Sequence, residues 1–156
     1  MVWIIMDKKQ NIYILLMLTL LYVAVKFGYA SNITESLPYK HFVIVRRTKV
    51  AVGDYIIFDA PKYCQYAGMK LIKQVVGMVG DEVSVENEHV FVNGDEVGAA
   101  KKYSKAGEAL TITQELQIPK DKYYVATPHV DSYDSRYTEF GLIDEKDIIG
   151  VAYPLW

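Results

Sequence analysis

Cysteine is almost missing from this chain. Cys64 is the only one in 156 residues, so no intrachain disulfide can form and no thiolate cluster can hold zinc. Beside Tyr63 it reads as a half-buried small hydrophobe. An excess of one charge is missing too: 17 Lys and Arg stand against 19 Asp and Glu, interspersed, for a net charge of −2. That leaves no basic footprint for a nucleic-acid partner. Histidine is scarce, and His41 and His89 lie in strand-like runs with no metal-ligating neighbour, which suits structural roles. His129 lies near Asp131 and Ser132, but members of a catalytic triad are usually far apart in a chain, so it reads as a loop residue. Nothing in these patterns calls for a metal or a cofactor. Internal repeats and low-complexity tracts are absent.

One long hydrophobic run is present. Ile12 to Val25 is apolar apart from Tyr13, Thr19 and Tyr22, and Phe27 to Ala30 extends the stretch to the roughly twenty residues a bilayer-crossing helix needs. Lys8 and Lys9 before it and Gly28-Tyr29-Ala30 after it also fit a cleavable secretory signal. The length of the run, and Lys26 placed to snorkel to the interface, favour a retained anchor, with Tyr22 and Tyr29 suited to an interfacial belt. The chain therefore divides into a short tail with a single transmembrane anchor, residues 1–30, and a body, residues 31–156. Lys40, Arg46, Arg47 and Lys49 outnumber Lys8 and Lys9, which by local count would hold the body inside the cell. Long folded domains translocate largely regardless of such charges, and the basic cluster also reads as a solvated strand end.

Past Ser31 no convincing amphipathic helix occurs before the last third, and the pattern is one of short β-rich runs. Strands are expected at His41–Val45, Tyr55–Phe58 and Met69–Val76. Glu82–Glu86 and His89–Val92 alternate with period two around Asn87-Glu88, a hairpin, and Asn93-Gly94 opens another turn. Residues 98–108 read as an exposed excursion, followed by strands near Leu110–Ile112, Tyr123–Ala126 and Ile148–Tyr153. The sum is a mainly β domain, a small partial barrel or folded-over sheet behind one apolar helix.

Two residues in this body suggest chemistry. Lys73 shares a strand face with Leu71 and Val75, where only apolar side chains are expected. Lys70 points to the other face and reads as solvated. A lysine desolvated among apolar groups shifts toward its neutral amine, which can take a proton from a weak nucleophile. Ser36, in Asn32-Ile33-Thr34-Glu35-Ser36-Leu37-Pro38, lies between the apolar run and the first strand of the body. Its ordinary reading is a linker serine before a proline turn. Asn32-Ile33-Thr34 is also a weak glycosylation sequon.

The runs Val52-Gly53-Asp54-Tyr55-Ile56-Ile57-Phe58, Ile72-Lys73-Gln74-Val75-Val76-Gly77-Met78-Val79-Gly80-Asp81-Glu82-Val83 and Asp131-Ser132-Tyr133-Asp134-Ser135-Arg136-Tyr137 follow one another in an order that resembles the sequence boxes of bacterial type I signal peptidases. Thr34-Glu35-Ser36-Leu37-Pro38 is most similar to the nucleophile setting of the conjugative-transfer branch of that family. It departs from the general Ser-Met-x-Pro form, because Pro38 stands two residues after Ser36. The resemblance implies a signal-peptidase-like fold and a serine endopeptidase with a Ser-Lys dyad, Ser36 as nucleophile and Lys73 as general base. It further implies that Ser132 orients the amine, that Asp134 and Arg136 form a supporting ion pair, and that the Ser36 backbone N–H and the Thr34 hydroxyl form the oxyanion site. The implied substrate is an exported protein precursor, a pilin or transfer component. The implied location is the cytoplasmic membrane, with the body on its outer face. Two other readings stay open: a non-catalytic, membrane-tethered β domain that assists assembly of a transfer apparatus, and an autoprotease related to Ser-Lys repressors. An apolar segment standing where a DNA-binding domain would be speaks against the autoprotease.

Overall fold

The computed structural model describes residues 7–34, 36–46, 48–62 and 64–155. Helix α1 covers Lys8–Lys26 and buries none of its side chains against the rest of the chain. Asp7 N–H donates to Gln10 Oε1 (3.1 Å) at its start, covering one of the first-turn donors that a helix leaves unpaired. At ~1.5 Å per residue the helix is about 28 Å long, close to the hydrocarbon thickness of a bilayer. The helix is shorter than the apolar run: Phe27 takes an extended conformation, and Phe27–Ser31 is strand β1, paired residue by residue with β2, His41–Arg46. Apolar character is shared by membrane helices and buried strands, so hydropathy alone cannot place this boundary.

Among the described residues, ten more strands and one 3-10 turn follow β1. They are β2, then β3 (Tyr55–Asp59), β4 (Lys70–Gly77), β5 (Glu82–Glu86), β6 (His89–Val92), β7 (Asp95–Ala99), β8 (Leu116–Gln117), β9 (Lys122–Ala126), β10 (Ile143–Asp144) and β11 (Ile148–Pro154). A seven-stranded sheet runs β1-β2-β11-β3-β4-β9-β10, and a four-stranded sheet runs β7-β6-β5-β8. The fold is mainly β with one N-terminal apolar helix, as expected. The β5–β6 hairpin has the predicted bounds, and Asn87 and Glu88 both take positive φ, the form that matches the twist of a two-residue hairpin.

Alternating residues of β3 feed two apolar clusters. Ile56 and Phe58 pack with Val75, Val83, Val125, Phe140 and Val151. Ile57 packs with Leu37, Phe42, Ile44 and Ala152, and Tyr55 and Ile72 cover that second cluster. Both faces of the central sheet are thus covered. Gly150 permits the β11–β2 approach, since a Cβ there would sit 2.5 Å from the Val45 carbonyl oxygen.

Three expectations are corrected. Residues 98 and 99 belong to β7, which pairs with β6 and leaves Ala100 buried, so the exposed excursion is shorter than expected. Leu110–Ile112 is not a strand; it makes a single bridge, Ile112 to Tyr137. Cys64 is buried rather than half-buried, at 5% exposure.

Candidate active site

Lys73 lies in the middle of β4, opposite Ile56 on β3. Its alternation with Leu71 and Val75 turns it toward the larger cluster, and only 6% of it is exposed. Nζ donates to Ser132 Oγ at 2.6 Å, across 59 positions of sequence. Burial pushes the amine down from its usual range to about 8; the Asp134 carboxylate opposes that shift and the Arg136 guanidinium adds to it. Lys70, on the other face, is exposed and pairs with Asp59 at 2.6 Å.

The loop that carries Ser132 is held from behind by a buried fork. Arg136 Nε and Nη2 reach the two Asp134 carboxylate oxygens, each at 2.9 Å, and both side chains are essentially inaccessible, at 1% and 0%. Bidentate geometry of this kind makes a charge-assisted pair strong and directional. The remaining donors bind backbone: Nη1 to Ala99 O (2.9 Å), and Nη2 to His129 O and Ser132 O (3.2 Å each). The guanidinium therefore ties β7 to the Ser132 loop. Gly98 takes a φ of +137°, and a Cβ there would lie 3.2 Å from Arg136 Nη1, so a side chain would crowd the fork. Asp134 Oδ2 also accepts the Thr127 N–H.

Ser36 lies in the β1–β2 connection and is half-buried. Its Oγ is 2.8 Å from Thr34 Oγ1. Thr34 Oγ1 in turn donates to Asn32 Oδ1 at 2.8 Å, and the Thr34 N–H donates to the same oxygen at 3.1 Å. A hydroxyl has one proton, and that of Thr34 is given to Asn32, so Ser36 is the donor to Thr34. The sequence suggests only a weak sequon at Asn32, whereas the structure has its side chain engaging Thr34, the neighbour of Ser36. The available signal was its spacing, because an Asx side chain commonly accepts from the backbone two residues on.

Leu37, beside Ser36, and Ile72, beside Lys73, belong to the same apolar cluster, which draws the two chain segments together. The two functional groups have different partners in this state: Thr34 for Ser36, and Ser132 for Lys73. No hydrogen bond between Ser36 and Lys73 occurs among the described residues, and Glu35 of the motif lies outside them. His129 accepts the Asp131 N–H at Nδ1 and bonds neither serine through its ring. On the Ile72 face of β4, Gln74 and Val76 line a cleft of about 500 Å³ with Val52, Val92, Val97 and Ala126. Neither Ser36 nor Lys73 lines it.

A buried amine bonded to one serine, and a second serine with a hydroxyl neighbour on a segment that shares an apolar cluster with the amine's strand, are parts that acyl transfer can use. Comparison with known proteins gives the family. The family described as signal peptidase, peptidase S26, matches residues 8–156, and the chain belongs to that family. Signal peptidase I V of Bacillus subtilis is 32% identical over 110 residues, covering 63% of this chain and 61% of that protein. Signal peptidase IB of Staphylococcus aureus is 33% identical over 121 residues, 67% of this chain and 60% of that protein. The chain thus spans about three fifths of these relatives. The crystal structure of a signal peptidase I from Enterococcus faecalis is 25% identical, with a TM-score of 0.46 over 67% of this chain and 97% of that one.

Proposed function

We propose that this protein is a membrane-anchored serine endopeptidase that removes signal or leader sequences from exported precursors. The observation that carries the proposal is the buried Lys73 amine, lowered toward neutral pH and held by Ser132. In the proposed cycle neutral Lys73 takes the Ser36 proton as Oγ attacks the scissile carbonyl. The new amine terminus leaves with that proton, and water activated by Lys73 hydrolyses the acyl-enzyme. Helix α1 remains as a single-pass anchor in the cytoplasmic membrane and the body works on the outer face. The Thr-x-Ser-x-Pro setting supports a pilin or conjugative-transfer precursor as substrate.

Co-expression with a pilin-type precursor and a general secretory precursor, followed by mass measurement, tests this reading. Cleavage by wild type and by neither Ser36→Ala nor Lys73→Ala is expected. Equal processing by all three would sink the dyad and leave a binding role.

Thr34 is proposed to donate to the oxyanion, and for this its hydroxyl must turn from Asn32. Thr34→Val is then expected to lower kcat about 10²-fold with KM little changed, the cost of one oxyanion donor. Unchanged kcat would remove Thr34 from the oxyanion site.

A further inference from the structure

Arg46 was expected at a solvated strand end, yet it closes a loop back onto the membrane helix. Its Nη1 donates to the carbonyls of Ala24 (3.2 Å), Val25 (3.1 Å) and Phe27 (3.0 Å). In return, Lys26 Nζ donates to the Arg46 carbonyl at 2.8 Å. The last carbonyls of a helix have no partner within it and carry the negative end of its dipole. A guanidinium supplies both hydrogen bonds and charge there, and its planar group holds a narrower range of geometries than an ammonium.

Between these two contacts the chain runs out along β1 and back along β2, in register from Phe27–Val45 to Ser31–His41. Tyr29 stacks on His41 with ring centres 5.8 Å apart, and its hydroxyl bonds the His41 ring. At the far end the Asn32 N–H donates to Lys40 O at 2.8 Å. Ser36 sits in the loop at that tip. The β2 strand also pairs with β11, which joins the ribbon to the sheet. The helix end and the nucleophile are therefore the two ends of one braced ribbon, five residues of β1 long; at ~3.3 Å per residue that is about 17 Å.

We infer that Arg46 is a positioning residue: it fixes the distance and orientation of Ser36 relative to the end of the membrane helix, so that the helix acts as a ruler for the scissile bond as well as a tether. The inference rests on the proposed peptidase reading. A precursor whose own apolar segment lies in the same bilayer presents its cleavage site at a set height, whereas a short soluble peptide can adjust to any height. Loss of the clamp should therefore separate the two substrates.

The test uses the full chain in lipid vesicles with a co-inserted precursor, and the same chain in detergent with a soluble peptide spanning the cleavage site. Arg46→Ala is expected to cleave the vesicle precursor at least about tenfold more slowly, or at a displaced bond found by mass, while staying within about twofold of wild type on the peptide. Arg46→Lys, which keeps the charge and loses the guanidinium plane, should fall between them. Equal losses on both substrates would show a merely structural contact and overturn the inference, as would no loss on either. Wild type inactive on both, like Ser36→Ala, would overturn the peptidase reading first and this inference with it.

Discussion

On the proposed cycle, alanine in place of Lys73 is expected to lower kcat/KM on a cleavable peptide by about 10⁴-fold, since the proposed proton acceptor for Ser36 would also be the activator of water. The wild-type rate should also have a distinctive pH profile. A lysine in water is neutral in only about one molecule in a few thousand at pH 7, whereas one with a pKa near 8 is neutral in about one in ten. Protonated Lys73 cannot accept the serine proton. Activity should therefore rise about tenfold per pH unit below 8 and level off above it, because the active form is the deprotonated one. Steady-state kcat/KM between pH 5 and 10 reads this limb. A profile still climbing at pH 10 would mean that an unshifted lysine, or another group, is the base. Ser132→Ala separates holding the amine from desolvating it: the plateau should fall through lost orientation, while the limb should stay well below the range of free lysine because burial is the principal cause of the shift.

What the sequence revealed depended on whether a residue's role was set by its near neighbours. The β5–β6 hairpin could be read to the residue because period-two alternation and a two-residue turn are local signals. Strand β7 could not: Gly98 and Ala99 are poor strand formers, and they are held by pairing with β6 and by the Arg136 contact to Ala99 O. For β1 the local signal was present but ambiguous, because Phe27–Ala30 suits a helix in lipid as well as a strand beside β2. Only the register with His41–Arg46 separates the two. The buried amine was anticipated from Lys73 alternating with Leu71 and Val75. Its partner Ser132 is 59 positions away, and only the order of motifs pointed to it. Asn32 was missed because a three-residue match suggested a modification site instead of a turn that engages the Thr34 hydroxyl.

The Asp134–Arg136 fork should be the most costly of the site contacts to break. Both side chains are buried, and the guanidinium also binds three carbonyls from two segments. Arg136→Met would leave the Asp134 charge without its fork partner and remove donors from those buried carbonyls. A destabilisation of about 3–5 kcal/mol is expected, the usual cost of removing one member of a buried pair. Asp134→Asn keeps the shape and the acceptor oxygen but leaves Arg136 without a counter-charge, and a loss of similar size follows. Urea unfolding of the full chain in detergent measures both. The double substitution Asp134→Leu with Arg136→Met is the informative one, because replacing a whole buried pair by apolar groups is often neutral. Here it should recover only part of the loss, since Ala99, His129 and Ser132 still lack their donor. It should leave activity low even where folding recovers, because the Ser132 loop would no longer be tied to β7. Full recovery of activity along with stability would show that the fork holds the fold and has no part in aiming Ser132 at Lys73.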